Sequence, residues 1–144
     1  MATFTKQFFS SSYSGSFYGL PIEVLTSGTY PAAPFFGTGI HTFPSGSTEI
    51  DEVWLYATNV STGSQTLVVQ FGNSGSAYEI VQELPSRAGL TLIVPGLVMG
   101  QTSSLSPPLA DGAHIAAYVG GPSDSATSDV LISGYVNRIS GSGL

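Results

Sequence analysis

The residues best equipped for chemistry are few. Glu49, Asp51 and Glu52 stand almost together. Two carboxylates flanking a sugar can serve as acid and base, and a carboxylate cluster can hold calcium. Their spacing fits no EF-hand loop, and acids beside a hydrophobic run ordinarily act as solvated gatekeepers. His41 and His114 are the only histidines. Neither lies in an HExxH or HxH motif, so a shared metal would require the fold to bring them together. Serines abound, but no Gly-x-Ser-x-Gly elbow presents one, and no glycine-rich motif cradles a phosphate. With no cysteine, thiolate chemistry and disulfide staples are excluded. Asn59-Val60-Ser61 has the spacing of a glycosylation acceptor and reads more simply as a turn. The expectation is a protein that is not an enzyme, with no catalytic residue, no cofactor and no metal.

The elements that would position any site are strands. Of 144 residues only 8% are charged, 42% are hydrophobic, and Gly and Pro number 18 and 9. That composition, with abundant Ser and Thr, belongs to short strands and turns rather than helices. Glu49–Val60 and Gln65–Phe71, separated by Ser, Thr and Gly, read as a β-hairpin. In the first strand Val53, Leu55 and Ala57 point one way and Trp54 and Tyr56 the other, so both faces need cover. Further strands are expected at Pro21–Thr26, Ile40–Phe43, Ala77–Leu84, Leu90–Val94, Leu97–Met99, Ala113–Val119 and Asp129–Ile139. Leu90–Val94 has too many apolar residues in succession to expose either face. Pro95-Gly96 predicts a turn, and Gly134 a bend or bulge. Residues 27–39, 101–112 and 120–128 read as loops. The fold class is therefore all-β: one antiparallel β-sandwich of about eight strands over residues 21–139. Before it stands an aromatic and Ser-rich arm or edge strand (1–20), and after it a short flexible tail (140–144).

Partners follow from charge and aromatics. A net charge of −6 with three basic residues argues against nucleic acid. No apolar run is long enough for a membrane helix, and no secretory signal is evident at the N-terminus. So few charges fit a surface that is covered in an assembly, or one hydrated by Ser, Thr, Asn and Gln instead. The N-terminal aromatics, among them Phe4, Phe8 and Phe9, either belong to a strand on the domain's own sheet or dock on a neighbouring subunit. Phe35 and Phe36 either plug the sandwich end or touch a partner. Trp54, Tyr56, Tyr118 and Tyr135, on solvent-side positions, have three readings: core, sugar-stacking platform, or protein interface.

The strings Glu49-Ile-Asp-Glu-Val-Trp-Leu-Tyr-Ala-Thr-Asn-Val-Ser, Leu84-Pro through Gly89-Leu-Thr-Leu-Ile-Val-Pro-Gly, and Ile132-Ser-Gly-Tyr-Val-Asn-Arg-Ile resemble small capsid proteins of tailed bacteriophages. These are the cement, or decoration, proteins that bind outside an icosahedral shell. The resemblance covers roughly Thr48 to Ile139. It implies a jelly-roll sandwich, assembly as homodimers or homotrimers, contact with the major capsid protein, no catalysis, and a place on the virion exterior after synthesis in the host cytoplasm. The alternative is a carbohydrate-binding or receptor-binding module of a phage tail or fibre. On either reading the candidate interface residues are Phe4, Phe8, Phe9, Phe35, Phe36, Trp54, Tyr56 and Tyr118.

Overall fold

The computed structural model describes residues 3–10, 19–24, 38–43, 49–73, 76–100, 113–120 and 130–141. The expected loops and the pair Phe35 and Phe36 lie outside them, apart from loop-end residues 38, 39 and 120, which are in strands. The strands are β1 (Thr3–Gln7), β2 (Ile22–Val24), β3 (Thr38–Thr42), β4 (Glu49–Asn59), β5 (Gln65–Asn73), β6 (Ser76–Leu84), β7 (Thr91–Met99), β8 (Ala113–Gly120) and β9 (Val130–Ser140). No α-helix occurs among the described residues.

Every pairing is antiparallel, and the pairings nest. β2 pairs with β9, β3 with β8, β4 with β7, and β5 with β6. The chain thus runs out and back as one long ribbon whose tip is the β5–β6 hairpin. Rolling that ribbon up adds β4 against β9 and β5 against β8. The result is a five-stranded sheet, β1/β2-β9-β4-β7, facing a four-stranded sheet, β3-β8-β5-β6. This is the jelly-roll form of a β-sandwich. β1 and β2 both lie on β9, so nine strands fill eight places.

The expected hairpin of β4 and β5 is not formed. Consecutive in sequence, they belong to opposite sheets. The segment between them is a corner, held by Asn59. Its side chain is 1% exposed. Its Nδ2 donates to the carbonyls of Gly63, Leu84 and Pro85 at 2.9–3.0 Å, while Oδ1 accepts from the Ser61 amide and hydroxyl. The corner is pinned further by Arg87 N–H donating to the Ser61 carbonyl at 3.0 Å. An asparagine so enclosed is a bracket between loops and not a glycan acceptor.

Pro95-Gly96 makes no turn either. β7 continues through it as an edge strand, and the register against β4 slips on either side; edges and bulges both tolerate a missing N–H. Gly96 takes φ +81 there. Leu92 is 43% exposed because it lies on the outer face of the sheet beside Tyr56, contrary to the expectation that this run hides both faces.

The core lies between the sheets, with Val53, Leu55, Ala57, Leu67, Val69, Ile115, Ile132 and Val136 at its centre. From the N-terminal segment Phe9 joins it. β1 pairs with β9 from Thr3↔Ser140 to Gln7↔Val136, and Phe9 then turns inward to 1% exposure. Gly134 makes room for that ring: a Cβ there would stand 3.0 Å from Phe9 Cε2 and 2.1 Å from the Trp54 carbonyl oxygen. Gly134 stays in register with Leu55, so it serves close approach and does not shift the pairing. Ser140, expected to open a flexible tail, is instead in β9 and pairs with both Thr3 and Glu49.

Candidate docking face

β4 alternates without a break. Asp51, Val53, Leu55, Ala57 and Asn59 are buried, while Glu52, Trp54, Tyr56 and Thr58 are half-exposed. Directly paired residues share a face, so register builds the outer surface of the five-stranded sheet. Trp54 stands beside Tyr135 on β9 and Pro95 on β7; Glu52 stands beside Asn137 and Val98; Tyr56 stands beside Ser133 and Leu92. β1 adds Lys6 opposite Asn137 and Phe4 opposite Ile139. Phe4, Val98 and Leu92 are 70%, 50% and 43% exposed.

The centre of this face is ordered by specific contacts. The Trp54 and Tyr135 rings stack at 6.5 Å and 17°. The indole N–H donates to Glu52 Oε1, which also accepts from Asn137 Nδ2 at 3.1 Å. Those bonds, Trp54's first and Asn137's second, hold the Glu52 carboxyl below its ordinary value. The indole's far edge rests over Gly96, where a Cβ would come within 3.3 Å of Cζ2. Lys6 Nζ lies 4.4 Å from the centre of the Tyr135 ring, a cation–π contact. Beyond it, where β1 ends, Lys6, Gln7, Phe8, Gly134 and Tyr135 line a pocket of about 350 Å³. The surface offers flat π faces, aliphatic flanks and a few fixed polar groups.

The structure sorts the candidate residues. Phe4, Trp54 and Tyr56 share this face, and Phe8, 53% exposed, sits at its rim. Phe9 is corrected: it fills the core because Gly134 leaves space for it. Tyr118 points outward from β8, on the other sheet, beside Glu79. Lys6, Leu92, Pro95, Val98 and Asn137 belong to the face and carry no signal in the sequence, because only the order of strands brings them to Trp54.

Asp51 is the second correction. It is fully buried, not a solvated gatekeeper, and it ties the two sheets together. Arg138 on β9 grips it twice, Nε to Oδ1 at 2.9 Å and a terminal nitrogen to Oδ2 at 3.0 Å. His41 on β3 reaches Oδ2 through Nε2 at 2.7 Å. The Ser10 amide donates to His41 Nδ1 at 3.1 Å, which places the ring hydrogen on Nε2, facing the carboxylate. Phe9 and Phe43 enclose the imidazole, at 5.9 and 5.3 Å between ring centres. Burial pushes the Asp51 carboxyl up, but the hydrogen bonds from His41 and Arg138, with the Arg138 charge, bring it below its ordinary value. The same bond to Asp51 raises Arg138.

A serine, a histidine and an aspartate therefore do meet. The order is not that of a nucleophile, however: the amide of Ser10, rather than its hydroxyl, contacts the imidazole. The Ser10 hydroxyl accepts the Thr42 amide at 3.0 Å. His114 is joined to the neighbouring Thr42 hydroxyl at 3.2 Å. No cluster of three His or acidic groups suited to a metal occurs among the described residues. The arrangement clamps the sheets at one end of the sandwich.

Compared with known proteins, the chain matches no family profile, and no curated protein aligns with it significantly.

Proposed function

We propose that this chain is a structural virion protein: a cement, or decoration, protein that binds the outside of an icosahedral phage shell and stabilises it. The observation that carries the reading is the outer face of the five-stranded sheet, where Phe4, Trp54, Tyr56, Tyr135, Leu92 and Val98 gather on rigid strands. Trp and Tyr anchors ringed by near-neutral contacts are what protein interfaces favour. The resemblance of Thr48 to Ile139 to decoration proteins supplies the partner, the major capsid protein, and the expectation of homodimers or homotrimers. Symmetry would multiply modest contacts, since many linked copies bind with far more avidity than one. The test is co-sedimentation with expanded shells. Wild-type protein should pellet with them and the Trp54→Ala protein should remain largely in the supernatant. Wild type staying in the supernatant at every salt concentration sinks the proposal.

One observation favours a second reading, a glycan- or receptor-binding module. The stacked Trp54–Tyr135 pair has a carboxylate and an amide beside it, which is what a sugar ring needs for stacking and hydroxyl recognition. Binding of glycans with quenching of Trp54 fluorescence would replace the first proposal with this one.

A further inference from the structure

Each sheet ends in two outer strands, and among the described residues three of the four are unfit to receive another strand. The β1/β2 edge is interrupted between Gln7 and Ile22. β3 is five residues long with a register shift at Gly39/His41. β7 carries Pro95 and two register shifts. Breaks, bulges, prolines and charged side chains are the usual means of blocking strand addition. β6 has only the last, Glu79 and Glu83, which repel a like-charged strand and leave the edge open to a basic one. It runs nine residues in unbroken register with β5, its only partner among the described residues. Among the described residues no strand lies on its other side, and its side chains are uncovered: Tyr78 and Val81 are 64% and 61% exposed, and Glu79, Gln82 and Glu83 are exposed as well. Along an outermost strand every second residue presents its N–H and C=O outward.

We infer that β6 is a strand-addition site for an extended, basic segment of a partner protein. Glu79, Val81 and Glu83 alternate, so they share one face of the sheet. An incoming strand would set a Lys or Arg opposite each glutamate and an aliphatic residue opposite Val81, the pattern basic-x-aliphatic-x-basic. Tyr118 supports Glu79 from β8, its hydroxyl 3.5 Å from Oε1. A second copy of this chain is the poorer occupant. Two β6 strands paired about Val81 would set Glu79 against Glu83 twice, and like charges directly opposite destabilise. Each copy also brings a net charge of −6. The site is on the opposite sheet from the aromatic face, so it stands or falls separately from the proposed capsid docking.

The probe is a short labelled peptide in which lysine, valine and lysine alternate with threonine. Fluorescence anisotropy should detect binding to the intact protein, and amide hydrogen exchange should slow at alternate residues of β6. Glu79→Lys with Glu83→Lys should weaken binding about tenfold, the combined value of two cross-strand ion pairs. The same double variant should gain binding to a peptide carrying glutamate in place of lysine. A fully N-methylated peptide, which cannot pair with an edge, should not bind to the unaltered protein. Equal binding of the acidic and basic peptides to wild type would overturn the inference, as would protection at any other strand. Concentration-dependent protection of β6 without peptide would overturn it too, by assigning the edge to a second copy.

Discussion

Asp51 and Glu52 are neighbours on one strand, both acids with lowered pKa values, and they do opposite work. Asp51 faces inward, with no exposure, and joins β4 to β9 and β3 through Arg138 and His41. Glu52 faces outward and holds Trp54 and Asn137 in place on the open sheet. The strand's period of two separates them completely. One residue's step along the chain divides what keeps the sheets together from what lies on the outer face.

The largest expected effect breaks the inner member. Asp51→Ala leaves Arg138 and His41 without their carboxylate, and removing one partner of a buried ion pair costs about 3–5 kcal/mol. Urea denaturation should show a midpoint lowered accordingly. Leu55→Ala, also inward, should cost about 2–5 kcal/mol for the cavity it opens. Its neighbour Trp54→Ala should cost less, about 1 kcal/mol from the lost stack with Tyr135, yet it should remove most binding to the docking partner. If Trp54→Ala destabilises as much as Leu55→Ala, the outer face is core and the contrast fails.

Acid sharpens the same comparison. The Asp51 carboxyl is held below its ordinary value of 3.8 when folded. The unfolded chain therefore takes up that proton first as pH falls. The stabilisation is present above the unfolded value and disappears as pH drops from about 5 toward the lowered folded value. Urea midpoints measured across that range should fall steeply for wild type and less steeply for Asp51→Asn, which starts lower. The smallest effect belongs to Glu52→Gln. The urea midpoint should not move measurably, while the Trp54 emission shifts because the acceptor of its indole N–H has changed.

Local pattern carried much of this. The alternation of Val53, Leu55 and Ala57 against Trp54 and Tyr56 assigns the faces of β4 correctly, because side-chain direction along a strand depends on nothing beyond the strand. The all-β class follows from composition for a similar reason. Partner choice is another matter. A polar stretch between two strands reads as a hairpin whether the chain turns back or crosses to the opposite sheet. Here it crosses, and the Asn59 side chain holds the corner by donating to the carbonyls of Leu84 and Pro85 from a distant turn. Pro95-Gly96 likewise punctuates a sequence as a turn, but at a sheet edge it is absorbed as an irregular strand.

By itself the sequence determined the sandwich class, the two-faced character of β4 and the poverty of charge, all consequences of residue type and a period of two. Only the tertiary structure decided that Asp51 is a buried clamp, that Phe9 belongs to the core, and that Trp54 meets Tyr135 while Tyr118 lies on the other sheet. Each of those depends on which strands lie side by side. That order is set by the rolling of the whole ribbon, with contacts between residues as far apart as Asp51 and Arg138, and no local stretch encodes it.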